Sequence, residues 1–193
     1  MRRLLNLRIC GLNHNLNKMN YFELYDLPVS FNPDQQLVKQ KFYELSKKYH
    51  PDFYINQSQD KQDEVLELST LNNKAFQVLR DPQKRLQYIL SLKGELVEGE
   101  NYALPQSFLL EMMEVNEALM DLEFDPDPVK LAELKTQTEQ IEQELIDELK
   151  TLTVTYDTAT EKNQQSTLKA IKDIYYRNKY LHRIKESLAR MAS

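Results

Sequence analysis

A chain of 193 residues with only 3 Gly and 7 Pro lacks the turns of a many-stranded protein and can bury one substantial core or two small ones. Charged residues make up 28%, the formal net charge is -5 and tryptophan is absent. That composition describes an acidic, soluble, all-helical protein, and no apolar run approaches the roughly 20 residues a bilayer-spanning helix requires. The single Cys10 excludes an internal disulfide, and His14, His50 and His182 are too scattered for a zinc site, so no metal or cofactor is expected.

Residues 1–18 carry Arg2, Arg3, Arg8 and Lys18 without an acidic residue. They read as a leader or an extension, expected to be poorly ordered, ahead of a domain that opens at Met19. The cytoplasm is the expected compartment; a targeting leader would instead send the chain to the mitochondrial matrix. Asn20 to Tyr25 predicts a first short helix, ended by Leu27-Pro28 because a residue before proline is steered from helical angles. Asn32-Pro33-Asp34 supplies capping residues for a second helix, in which Val38, Phe42, Leu45 and Tyr49 form one stripe and Lys39, Lys41, Lys47 and Lys48 the solvent side. It must stop near His50, since Pro51 has no backbone donor. Pro51 to Ser58 shows no period. Val65, Leu68, Asn72, Ala75 and Leu79 then recur at helical spacing until Asp81-Pro82, giving two antiparallel helices joined by an exposed loop. A fourth helix over Gln83 to Leu92 ends at Lys93-Gly94, where glycine suits a helix C-terminus.

These boundaries give a domain over residues 19–93, a linker over 94–103 and a second domain over 104–193. Three long helical patterns fill the latter. The first holds Phe108, Met112, Val115 and Leu119; the second Leu134, Thr138, Ile141, Leu145 and Leu152; the third Ile171, Ile174, Leu181, Ile184, Leu188 and Met191. Asp127 is a candidate cap with Pro128 at the first helical position, and Asp157 to Thr160 can turn the chain again. Short connections make antiparallel neighbours, hence a three-helix bundle.

The tripeptide His50-Pro51-Asp52 is by itself only a helix stop followed by a turn former. Its context is specific. It follows the lysine-bearing helix, and downstream stands Ala75-Phe76-Gln77-Val78-Leu79-Arg80-Asp81-Pro82-Gln83-Lys84-Arg85-Leu86-Gln87-Tyr88. Together these resemble a J-domain, over Met19 to about Leu92. The chain departs from ordinary J-domains in having Ile89 where Asp usually follows that tyrosine, and in lacking a Gly/Phe-rich linker and a zinc-binding region. A J-domain followed directly by an acidic helical bundle resembles the HscB family of iron–sulfur cluster co-chaperones, as do Asn20-Tyr21-Phe22-Glu23-Leu24 and Ser107-Phe108-Leu109-Leu110-Glu111. The metal-binding N-terminal cysteines of some eukaryotic relatives are missing, which weighs against the mitochondrial reading.

The resemblance implies a co-chaperone, not an enzyme. Its J-domain would stimulate the ATPase of a specialised DnaK-type (HscA-like) chaperone, docking through His50, Pro51 and Asp52, with Lys39, Lys41, Lys47 and Lys48 attracting the partner's acidic surface. The bundle would deliver an iron–sulfur cluster scaffold protein (IscU-like). Periodicity points to the second surface on its own terms: beside the core stripe, Leu109, Met113 and Met120 form another apolar line roughly 100° away on ideal geometry. Such a line can also be core, because a bundle helix packs on two neighbours. By position the family's scaffold-binding face carries over to Leu109, Leu110, Met113, Glu114 and Glu117, and Tyr176 stands about where the family places a contributing aromatic. Tyr175, Tyr176 and Tyr180 serve equally as ordinary bundle aromatics. Two alternatives remain: a general J-domain protein whose bundle takes another client or dimerises, and a helical hydrolase using His50 and Asp52. Neither nucleic acid nor membrane is an expected partner.

Overall fold

The computed structural model describes residues 19–97 and 99–191, and every regular element among them is helical. The leader read from residues 1–18 lies outside the described residues. The chain divides into two compact units between Leu92 and Lys93.

In the first unit, helix α1 (Tyr21–Leu24) exists at four residues because Asn20 and Glu23 close a capping box: the Asn20 Oδ1 accepts from the Phe22 and Glu23 amides, and Glu23 Oε2 accepts from the Asn20 amide at 2.9 Å. Helix α2 (Gln35–Lys48) starts on the Asp34 carboxylate, which accepts from the Gln36 amide at 2.8 Å. Helix α3 (Gln59–Arg80) runs back against α2, and α4 (Pro82–Leu92) begins one residue later, its first amides held by Asp81 at 2.9 and 3.0 Å. Gly94 follows with φ +74°, the left-handed angle that glycine adopts most readily beyond a helix end.

Val65, Leu68, Asn72, Ala75 and Leu79 are all buried, as their spacing predicts. The stripe on α2 is different: only Val38 is fully buried, while Phe42, Leu45 and Tyr49 are half-buried, since α2 packs chiefly on α3. Phe42 nevertheless stacks on Phe76 with centroids 4.1 Å apart. Ile89, the departure from the usual Asp, is wholly inaccessible, a place where an unpaired carboxylate would be costly. Arg85 is also buried, because its Nε donates to the Phe31 carbonyl at 2.8 Å and its guanidinium to the Leu79 carbonyl. At the centre sits Asn72. Its amide donates to the Phe42 carbonyl (3.1 Å) and to Ser46 Oγ (3.0 Å) on α2, and its oxygen accepts from the Tyr25 hydroxyl at 2.9 Å.

The second unit consists of α5 (Gln106–Phe124), α6 (Pro128–Thr158) and α7 (Glu161–Met191). Asp127 caps α6 through the Val129 amide at 2.8 Å, with Pro128 in the first turn. One core joins Phe108, Met112, Val115, Leu119 and Leu122 to Leu134, Ile141 and Leu145 and to Ile174, Leu181, Ile184 and Leu188. With 19 residues against 31, α5 spans only part of its neighbours. The bundle is therefore three-helical along α5 alone, and beyond it α6 and α7 continue as a pair that buries Tyr156, Leu168 and Ile171.

Asn72→Ala removes the donor to the Phe42 carbonyl and Ser46 Oγ of α2 and leaves the Tyr25 hydroxyl only the Asn72 backbone carbonyl at 3.2 Å, and is expected to destabilise the first unit by about 1–3 kcal/mol. Native-state hydrogen exchange of the α3 amides measures it, and exchange as slow as in the parent would contradict the assignment.

Candidate functional site

The elbow between α2 and α3 follows from one proline. α2 ends at Lys48, His50 is extended (φ -73°, ψ 123°), and Pro51 opens a 3-10 turn over Pro51–Tyr54. The Asp52 amide donates to His50 Nδ1 at 3.3 Å, and the same nitrogen lies 3.6 Å from the Asp52 carboxylate. Nδ1 accepts from the amide only when it carries no hydrogen, so the amide contact and a hydrogen bond to the carboxylate exclude one another. The Asp52 side chain keeps 75% of its surface open. Two outside contacts hold the turn: the Tyr54 hydroxyl donates to the Lys48 carbonyl at 3.0 Å, and Gln62 Nε2 donates to the carbonyls of Ile55 and Gln57 at 3.0 and 2.9 Å. Phe53 and Ile55 beside Asp52 are exposed.

Lys39, Lys47 and Lys48 are exposed on α2, and Lys48 Nζ lies 5.1 Å from the centre of the Tyr49 ring. Lys41 departs from the predicted solvent side. It is half-buried, because three residues after Val38 it stands at the margin of the stripe that faces α3. His50 and Asp52 touch, as the hydrolase alternative needs, but both are open to water rather than enclosed in a cleft that would exclude it.

On α5 the core stripe is buried, and a second face is not: Leu109, Leu110, Met113 and Met120 are exposed, with Glu114 and Glu117 exposed among them. Phe124, 87% exposed, prolongs this face beyond Met120. The i+4 interval from Met120 was the available signal for it. Asn116 bounds the face, donating to the Met112 carbonyl at 2.8 Å and to the Tyr180 hydroxyl at 3.3 Å.

Tyr180 thus reaches α5, and it also meets Phe108 edge-on at 6.0 Å. Tyr176, a turn earlier, is engaged elsewhere. Its ring stacks on Tyr102 at 4.4 Å and 7°, its edge meets Tyr175, and its hydroxyl donates to Glu100 Oε2 at 3.2 Å. Lys172 pairs with the other oxygen of Glu100 at 2.7 Å and holds that carboxyl below its usual range. Burial, reinforced by a hydrogen bond to Asp173 at 3.0 Å, pushes the Tyr102 hydroxyl up to about 12. Arg177 completes the cluster as an ion pair with Asp173 (2.7 Å) and Glu148 (3.1 Å). Among the described residues no group of three or more His, Cys, Asp or Glu could hold a metal ion, and no helix is long and apolar enough to cross a membrane.

A helical hairpin with an exposed His-Pro-Asp elbow, matched over residues 20–88 by the family model for the DnaJ domain, makes this a J-domain protein. Residues 104–189 match the model described as the HSCB C-terminal oligomerisation domain. A co-chaperone HscB homologue from Shewanella halifaxensis is 37% identical over 139 residues, covering 70% of this chain and 79% of the relative. The chain belongs to the HscB co-chaperone family. Co-chaperone HscB from Buchnera aphidicola is 41% identical over 105 residues, covering 54% of this chain and 60% of that relative. The crystal structure of human co-chaperone HscB superimposes with a TM-score of 0.64 at 27% identity, covering 89% of this chain and 81% of the human one. Chaperone HscB from Vibrio cholerae gives 0.60 at 28%, covering 90% and 98%.

Proposed function

We propose that this chain brings an iron–sulfur cluster scaffold protein to an Hsp70-type ATPase and stimulates that ATPase, without breaking any bond itself. The observation that carries the reading is the open Asp52 carboxylate on a proline-fixed elbow, in a chain of the HscB family. The chaperone would be of the HscA type and the scaffold of the IscU type. Residues 19–93 serve the first, 104–193 the second, and 94–103 join them. The bacterial relatives support placing the pair of interactions in the cytoplasm.

The chemistry of the two surfaces suits these roles. Lys39, Lys47 and Lys48, with Lys41 at the margin, attract an acidic partner surface and speed encounter, an advantage that fades as salt screens it. His50, Pro51 and Asp52 then dock, and a partner arginine closing on Asp52 makes a desolvated, charge-assisted pair, of a kind whose loss typically costs about 2–5 kcal/mol of binding. On α5, Leu109, Leu110 and Met113 offer adaptable apolar contact, and Glu114 and Glu117 select a partner with basic groups at the rim. Tyr176 adds an aromatic from α7. Joining both modules in one chain raises the effective concentration of cargo at the chaperone. A second reading, in which the bundle self-associates, is favoured by the description of the matching model as an oligomerisation domain.

Purified chain should accelerate ATP turnover by its matching chaperone, and Asp52→Asn should abolish the acceleration. Stimulation that survives this change would defeat the docking assignment. Leu109→Ala with Met113→Ala should weaken scaffold binding, measured by calorimetry, by more than about tenfold. Unchanged scaffold affinity would reject the α5 face, and altered sedimentation of the chain alone would favour the self-associating bundle.

A further inference from the structure

The segment leading into α5 is laid along α7 as a strap. Gln165 donates to Glu95 Oε1 at 2.6 Å, Lys172 pairs with Glu100 at 2.7 Å, and the Tyr102 hydroxyl bonds Asp173 at 3.0 Å while its ring stacks on Tyr176. Phe108, in the first turn of α5, then meets Tyr180. The contacts advance in step along both segments, from Glu95 with Gln165 to Phe108 with Tyr180. The strap thus lies on the part of α7 that precedes its contact with α5.

We infer that this strap is a positioning element for cargo: Tyr102 and Glu100 fix Tyr176 in one orientation, so that α7 presents a preformed aromatic to the scaffold protein. The inference rests on the reading that Tyr176 belongs to the scaffold-binding surface. Three restraints act on one side chain. The ring stacks near-parallel on Tyr102 and makes a T-shaped contact with Tyr175, and the hydroxyl is committed to Glu100, itself anchored by Lys172. A free tyrosine on a helix surface changes rotamer, and ordering it at binding weakens the complex. Here that ordering is complete when the unit folds. Tyr176 remains only half-buried, which leaves ring surface for a partner. Glu100 and Tyr102 therefore act through Tyr176, and their role is positional.

The test is calorimetric titration of the full chain with the cluster-free IscU-type scaffold of the same organism. Tyr102→Ala should weaken binding about three- to tenfold, the range of an aromatic pair. Tyr102→Phe keeps the stack and should bind like the parent, and Glu100→Gln, which frees the hydroxyl, should fall between. In a Tyr176→Ala background Tyr102→Ala should cost nothing further. The Tyr176 ring resonances should shift in Tyr102→Ala and hold in Tyr102→Phe, a readout independent of binding. Parent-like binding by both Tyr102→Ala and Glu100→Gln would overturn the strap while leaving the scaffold face intact, provided Leu109→Ala with Met113→Ala still weakens it. If that pair is also silent, the scaffold reading falls and the strap with it. An equal loss with and without Tyr176 would show a merely structural role and would likewise overturn the inference.

Discussion

The hydrogen-bonded tie at Asn72 sets the geometry on which the first unit depends. One buried amide engages the Phe42 carbonyl and the Ser46 hydroxyl of α2 and accepts from Tyr25 just after α1, so it fixes two segments to α3 at once. A buried polar group without partners is costly, and sliding α2 by a turn would break the Phe42 and Ser46 bonds together. Burial also raises the Tyr25 hydroxyl, which keeps it protonated as the donor. With the hairpin held in one register, α2 must end at Lys48 and α3 must begin at Gln59, and the intervening elbow has nowhere to go but outward. Its own bonds, from Tyr54 to Lys48 and from Gln62 to Ile55 and Gln57, then set its shape. A carboxylate so presented needs little ordering when a partner arrives.

The second unit solves a different problem. α5 carries more apolar surface than its neighbours cover, so one stripe enters the core and the other, from Leu109 to Phe124, stays in water. Exposed contiguous apolar surface rimmed by acidic side chains is a mark of an interaction site. The mismatch in helix length has its own consequence. Where α5 is absent, the preceding strap takes a side of α7, and polar contacts involving Glu95, Glu100 and Tyr102 attach it.

Much of this was legible in the sequence because helical periodicity reports burial directly. The stripe from Val65 to Leu79 and that from Phe108 to Leu119 are buried residue for residue, and the caps at Asp34 and Asp127 bond the amides that their positions predict. Periodicity is less informative where a helix packs on one side only. On α2 it marks Phe42, Leu45 and Tyr49, which end up half-buried, and it sets Lys41 in solvent although that residue borders the contact with α3. Arg85 is hidden against expectation for a cation, since its solvation is replaced by two backbone carbonyls that no sequence pattern displays. Nor can spacing separate Tyr176 from Tyr180, one helical turn apart. In the structure Tyr102 and Glu100 engage the first, and the second turns to α5.

If two separate surfaces serve two partners, hydroxyl-radical footprinting of the full chain will tell them apart. Methionine, tyrosine, histidine and phenylalanine report side-chain exposure, and both surfaces carry them. The chaperone alone should shield His50 and Phe53 and leave Met113, Met120 and Phe124 reactive; the scaffold alone should do the reverse, and the two together should shield both sets. Protection of the same set by both partners, or of neither, would rule out two separate binding surfaces.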